Sequence, residues 1–308
     1  MPGPTITAAI STYDRHAPLF DGTVSHPDFS FDFRYVEPGA ARGRHELFLH
    51  EAAWDVAELS FSSYLVAVDR GLPFQAIPVF PRRLFSQSQM YKYRDAGIAL
   101  TTYQTTLSVL AKGDLAHYYG VPWKEITFVT AREETLDVPL PPGVKLERVE
   151  SAAALEAELV AGSVQAQFTP SPPRAFIEGN PSIVRLFDDP RAEEERHLLK
   201  EPGYFPIMHV VAIQRAVVER HPELPRALFD VFEAAQQAAR RRWNDPNHSL
   251  LLWGKQAAER EASIFDRDPW ANGLTANRKN IEDFVRYSHE QGLIRRLIPP
   301  EELFVPIE

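Results

Sequence analysis

Cysteine is absent from the 308 residues, which excludes disulfides, thiolate nucleophiles and Cys-ligated zinc or iron–sulfur centres. Glycine is scarce, at 15 residues, and none falls into a GxGxxG or Walker-type phosphate loop. A GxSxG nucleophile elbow and an HExxH pair are also missing. The ten histidines are scattered. His45 and His50, with Glu46 between them, are five apart and miss the i, i+4 face that a shared metal needs. Neither a cofactor nor a metal is therefore expected. No apolar run approaches the ~18 residues that span a bilayer. The opening Met1–Thr5 lacks a positively charged and then apolar leader, so the expectation is a soluble, cytoplasmic chain with no membrane partner. Basic charge is also in deficit. The formal charge of −9 and pI near 5.6 argue against nucleic acid, while a few Arg side chains in a cleft would still attract a small anion.

What remains is an ordinary globular composition, 44% hydrophobic and 24% charged. Short strands and helices alternate in the first half, the mark of an α/β protein. Strands are expected at 5–11, 28–36 (Phe29, Phe31, Phe33 and Tyr35 on one face), 55–59 and 74–80. Helices are expected at 45–54, 62–69 (closed by Gly71) and 105–119, the last with Thr101 or Thr102 as cap. Further strands are read at 126–130, 144–149, 164–169 and 204–213, and helices at 152–161, 188–200, 224–243 and 281–291. The charge-rich 188–200 reads as a solvated face. Arg240, Arg241 and Arg242 sit where cations complement a helix dipole, and 299–304 reads as a docking tail. This order suits two α/β lobes with the chain crossing twice: residues 1–93 and 205–308 in lobe 1, and 94–204 in lobe 2. A ligand would then lie between them, beyond the carboxyl ends of strands.

Polar residues just after strands are the candidates for that cleft. Tyr13, Asp14 and Arg15 follow the first strand, and Glu58 and Ser60 close the third, leading into Ser62 and Ser63. Of Arg82 and Arg83, one is expected to point inward, with Arg83 favoured. Tyr103, Gln104, Thr105 and Thr106 open a helix whose free N–H groups suit a carboxylate. His209 interrupts an apolar strand, and Thr169 ends another. Each has a plainer explanation: Arg15 as half of a surface ion pair, the serines as helix caps, His209 as a satisfied core residue. Together they describe cationic, hydroxyl and imidazole groups suited to a small organic anion.

The segments YDRHAPLFDGTV (13–24), DVAELSFSSYLVAVDRG (55–71), IPVFPRRLF (77–85), YFPIMHVVAIQRAVVERHP (204–222), NRKNIEDFVRYSHEQGL (277–293) and PPEELF (299–304) carry a resemblance. In order and spacing the chain resembles the 4,5-dihydroxyphthalate decarboxylase family. The resemblance implies a two-lobed type II periplasmic binding protein-like fold working inside the cell. It marks Tyr13, Asp14, Arg15, Glu58, Ser60, Ser62, Ser63, Arg83, Tyr103, Gln104, Thr106 and His209 as lining residues. Two departures stand out. The stretch before Tyr103-Gln104 is short, only Ile98-Ala99-Leu100, and Ser86-Gln87 replaces the family's Arg-His pair.

The activity so implied is loss of CO2 from a small hydroxylated aromatic carboxylate, without redox chemistry. Arg15 and Arg83 would anchor a carboxylate, since guanidinium forks match it two bonds at a time. Glu58 or Asp14 would accept the phenol proton if burial raises its pKa. His209 would donate to the ring. A non-catalytic solute-binding protein for an aromatic or organic anion, and a decarboxylase-like enzyme on another carboxylated substrate, remain alternatives, and a homo-oligomer is compatible with the sequence.

Overall fold

A computed structural model describes residues 3–37, 42–93, 99–100, 102–200, 204–264 and 267–307. Its strands, in chain order, are β1 (Thr5–Ala9), β2 (Ser30–Arg34), β3 (Val56–Ser60), β4 (Phe74–Arg83), β5 (Met90–Tyr93) and β6 (Ala99–Leu100). There follow β7 (Thr127–Thr130), β8 (Lys145–Arg148), β9 (Ala166–Phe168), β10 (Ile183–Arg185) and β11 (Ile207–Gln214). The helices of the first half are α1 (Ala17–Phe20), α2 (Arg44–Glu51), α3 (Phe61–Asp69), α4 (Thr106–Tyr119) and α5 (Ala152–Ala161). Those of the second are α6 (Arg174–Ile177), α7 (Pro190–Lys200), α8 (Arg215–Arg220), α9 (Leu224–Trp243), α10 (Gly254–Ile264), α11 (Leu274–Glu290) and α12 (Pro300–Leu303).

Lobe 1 is built on a five-stranded sheet in the order β2-β1-β3-β11-β4, with β11 antiparallel to both neighbours. Successive residues of its central strands face opposite layers, as the pleat demands. Val56, Ile77 and Val211 join Leu224, Leu228, Val231 and Phe232 of α9 on one side. Ala57, Ala76, Val210 and Ala212 join Leu65 of α3 and Phe284 of α11 on the other. Because both faces are covered, these strands read as nearly continuous apolar runs. The amphipathic spacing of α9 is met over its full expected length, 224–243.

Lobe 2 holds a four-stranded sheet, β10-β5-β9-β6, and the separate pair β7-β8. β5 pairs with β9 and β10. The first crossing between lobes therefore falls at 84–89, earlier than the expected boundary at 93. The crossing segments touch one another: Leu84 N–H donates to Pro206 C=O at 3.2 Å, and the Phe85 and Phe205 rings stack at 5.2 Å. Ser86 and Gln87 are buried there. Ser86 donates to Asp114 at 2.6 Å, and Gln87 meets His197 at 2.8 Å. Of the short stretch before Tyr103, Ala99–Leu100 forms β6 while Ile98 lies outside the described residues.

The tail docks as the sequence suggests. Phe304 bridges to Ala76 at the edge of β4, and Val305 N–H donates to Ala76 C=O at 2.8 Å. Among the described residues, no helix is long and apolar enough to cross a membrane.

Candidate active site

Four segments converge at one edge of the lobe 1 sheet. The parallel strands β1 and β3 end there in Ser11 and Ser60. β4 ends there in Arg82 and Arg83, and the antiparallel β11 delivers His209 to the same edge from its first half. Register places His209 beside Ser60 on one side and Arg82 on the other. The ladder between β11 and β4 is irregular on both sides of His209, a local device that re-aims side chains.

Glu58 is the hub. It is fully buried, and its carboxylate accepts from the Ser11 N–H at 2.9 Å, the Tyr13 hydroxyl at 3.0 Å and His209 Nδ1 at 2.5 Å. Arg44, at the start of α2, lies 3.3 Å from the same carboxylate. It also donates to Glu58 C=O at 2.9 Å and Ser11 Oγ at 3.0 Å. Burial alone would push the Glu58 carboxyl up. Arg44 and the His209 hydrogen bond outweigh it and hold the group well below the ordinary carboxylate range. His209 is held below the usual imidazole value by burial, against the pull of Glu58. At neutral pH the pair is thus a carboxylate accepting a hydrogen bond from a neutral imidazole. That bond places the imidazole proton on Nδ1 and leaves Nε2 with its lone pair.

Around this pair stand groups that sequence reasoning passed over. The His45 ring meets His209 edge-on at 5.1 Å, and burial, then the neighbouring His209 and Arg44, keep it neutral. His16 is buried, its Nδ1 2.7 Å from Ser11 C=O, and burial lowers its pKa to about 4. Arg82 is half-buried and makes no hydrogen bond or ion pair among the described residues. Its charge reaches Tyr13, His45 and His209. Arg82 is the cation this site leaves unspent. Strand alternation gives one Arg of the 82–83 pair to each face, but only the register with β11 identifies which one meets His209.

Arg83 goes elsewhere, so the inward-facing assignment passes to Arg82. Arg83 is buried and donates to Phe205 C=O at 2.9 Å, Ala271 C=O at 3.0 Å and Asn277 Oδ1 at 2.6 Å. Those bonds tie β4 to the approach of α11. Arg15 is also engaged. Its guanidinium lies between the Tyr13 ring (4.2 Å) and the Trp270 ring (4.1 Å), and its Nε donates to Pro81 C=O at 2.8 Å. Asp14 is half-exposed and accepts from Trp243 Nε1 at 2.9 Å; it is a surface link with no contact to the imidazoles.

The hydroxyl candidates collect at the start of α4. Thr106 Oγ1 lies 2.8 Å from Ser60 Oγ and accepts from the Ser62 N–H at 3.1 Å, and Ser60 Oγ lies 3.0 Å from Ser62 Oγ. Ser63 is half-buried beside them. The cap of α4 is Thr105, whose Oγ1 accepts from the Ser108 N–H at 3.3 Å. Thr102 instead donates to Glu134 at 2.8 Å, and Thr101 lies outside the described residues. Glu134 also accepts the Gln104 N–H at 3.2 Å, so a carboxylate of the chain already holds part of the expected anion position. Tyr103 is buried under Lys112 Nζ, 3.0 Å from its ring centre. Thr169 is half-buried beyond β9, where its Oγ1 accepts the Ser171 N–H at 3.4 Å. Among the described residues no cluster of three His, Cys, Asp or Glu side chains is placed to hold a metal ion.

No family model matches the chain. A 4,5-dihydroxyphthalate decarboxylase from Comamonas testosteroni is 30% identical over 98% of this chain and 96% of its own length. An enzyme of the same description from Pseudomonas putida is 30% identical over 60% of this chain and 78% of its own. Among solved structures, the periplasmic aliphatic sulphonate binding protein of Escherichia coli superposes with a TM-score of 0.58 at 12% identity, covering 99% of this chain and 98% of that one. The alkanesulfonate-binding protein of Xanthomonas axonopodis pv. citri, bound to MOPS, gives 0.56 at 11% identity over 99% of both chains. These structural likenesses establish the fold: two α/β lobes of the type II periplasmic binding protein kind.

Proposed function

Because this chain belongs to the 4,5-dihydroxyphthalate decarboxylase family, we propose that it is a carboxy-lyase acting on a hydroxylated aromatic acid. Its substrate is 4,5-dihydroxyphthalate or a near relative, converted to protocatechuate and CO2. The observation that carries the reading is the buried Glu58–His209 pair with the unengaged Arg82 beside it on the next strand.

Decarboxylation of such a ring replaces a carboxylate by hydrogen and consumes one proton per turnover. The hydroxyl para to the departing carboxylate gives its proton to neutral His45, and its electrons move toward the ipso carbon. His209 takes a proton from solvent onto Nε2 before the step, its charged form having a built counter-ion in Glu58, and gives that proton to the ipso carbon. The bond to CO2 then breaks, its electrons restore the aromatic ring, and the phenolate takes its proton back from His45. His209 has lost the single proton consumed and regains it from solvent through its slight exposure, 9%. Glu58, fully enclosed, does not touch the ring; it fixes the His209 tautomer and supports its charged state. Arg82 holds the neighbouring carboxylate, the one retained in the product, because a cation on the departing group would oppose its loss. Tyr13 and the hydroxyls of Ser60, Ser63 and Thr106 border the remaining oxygens.

The test is to incubate the purified chain with a panel of hydroxyphthalates and dihydroxybenzoates and follow CO2 and product by mass, with and without a chelator. Protocatechuate from 4,5-dihydroxyphthalate is the expected product. Tight binding across the panel without turnover would assign the chain to solute binding. Turnover of a different acid would keep the chemistry and change the substrate. The reading places the enzyme in the cytoplasm, and recovery of the chain from a periplasmic or membrane fraction would count against it.

A further inference from the structure

The segment from Asn247 to Ile264 is unlike the rest of the surface. Leu250, Leu251, Leu252 and Trp253 are consecutive, and their exposures are 107%, 68%, 81% and 71%. They lead into α10, of which only Gly254 is buried. No other helix or strand of the described residues packs extensively along α10. Its nearest charged contact is Arg260 to Glu195 of α7, at 4.0 Å. Single exposed leucines need no explanation, but a contiguous apolar patch of this size does.

We propose that this patch and α10 form a two-fold interface between two copies of this chain. Three observations select a second copy over other partners. The first is charge. The chain carries −9 overall, whereas α10 balances Lys255 and Arg260 against Glu259 and Glu261. It is therefore the place where two acidic copies meet with least repulsion.

The second is self-complementarity. Lys255 and Glu259 lie one helical turn apart on the same flank and make no ion pair among the described residues. Antiparallel pairing about Ala257 sets each Lys255 against the partner's Glu259, as an isologous interface requires. Ala257, Ala258 and Ala262 are exposed and small, which lets two helices approach closely.

The third is area. Four side chains at these exposures present roughly 600 Å² per copy, about 1,200 Å² across a two-fold pair, which reaches the range of specific interfaces. An anionic lipid surface fits less well, because two carboxylates flank the two cations on α10, and Arg240 and Arg242 of the nearest basic run already pair with Asp268 and Asp21.

The experiment is the mass of the full chain in solution, dilute and concentrated, by sedimentation or light scattering. Wild type is expected at an even multiple of 34.9 kDa. Leu251→Glu with Trp253→Glu should halve that mass. The circular dichroism spectrum should not change, since the replaced side chains touch little of the folded core. Lys255→Glu should weaken assembly, and Lys255→Glu combined with Glu259→Lys should restore it. Wild type at 34.9 kDa throughout, or variants that keep the wild-type mass, would overturn the proposal. So would co-sedimentation of wild type with phosphatidylserine-containing vesicles in place of self-association.

Discussion

Glu58 shows what a buried carboxylate can do when its partners are built in. Three donors and Arg44 share its oxygens, so it stays charged in a place that would otherwise neutralise it. Glu58→Gln keeps the shape and removes the charge that supports a protonated His209. Turnover should fall by about 10²-fold or more, the usual weight of a positioned proton donor, with KM much less affected. His209→Ala should fall at least as far while the circular dichroism spectrum is kept; near-native turnover in either variant would remove the pair from the chemistry. Arg82→Ala should raise KM by about 10- to 100-fold, the worth of a charged hydrogen bond of about 1.5–3 kcal/mol. Arg83→Ala should instead lower the melting temperature, because its bonds go to Phe205, Ala271 and Asn277. At this scale Glu58, Tyr13 and Ser60 were named from their places at strand ends, and His209 as the polar break in an apolar strand. Arg82, Arg44 and His45 were not. Arg44 and His45 come to the site from a helix start remote in sequence, and the 82–83 choice depends on a register that only the folded sheet defines.

Among the elements, α4 is the most constrained. Gly113 sits in its middle, where glycine ordinarily weakens a helix, because the Tyr287 ring of α11 occupies the space a side chain would take. A Cβ there would lie 2.1 Å from Tyr287 Cδ2. Tyr287 is fully buried and has little room to withdraw. Gly113→Ala should therefore cost about 1–3 kcal/mol by overpacking, despite alanine's better helix propensity, and a melting temperature at or above wild type would refute this packing account. The tail helix α12 is followed by Phe304, buried edge-on against Phe80 at 5.7 Å. Phe304→Ala should cost about 3 kcal/mol or more, measurable by denaturant unfolding. Most elements were legible from periodicity, α9 over its whole length. α10 was not located, since exposed on nearly every side it carries no apolar face pointing to a core. β5 was not read as a strand, and its residues were counted with lobe 1; four residues carry too short a period to mark a strand, and nothing local names its partners β9 and β10.

For the whole molecule, the two lobes meet over buried ionisable groups that make stability depend on pH in opposite senses. His16 and His209 are buried and His45 half-buried, and desolvation lowers the pKa of all three, His16 to about 4. Between the unfolded value near ~6.5 and that point the unfolded chain binds more protons, so their contribution is lost as pH falls through this window. Asp114 acts the other way. Burial raises it to about 7 against the pull of Ser86 and Tyr287, so the folded state holds its proton where the unfolded chain, near ~3.9, does not. Its contribution declines as pH rises toward 7 and is constant above. Asp114→Asn, beside the first crossing segment, should therefore melt higher than wild type at pH 8 by a few kcal/mol of stability, with the gap closing near pH 5. An equal gap at both pH values would show that the carboxyl is not titrating in that window.

The sequence by itself determined most of the secondary elements, the α/β character, the exclusion of thiol chemistry, and the family, because periodicity, composition and local motifs are properties of adjacent residues. Tertiary structure decided which lobe owns β5, which arginine faces His209, and that Glu58 orients the imidazole. Those outcomes depend on strand register and on contacts between residues as distant as Glu58 and His209. Such contacts exist only once the sheet has assembled.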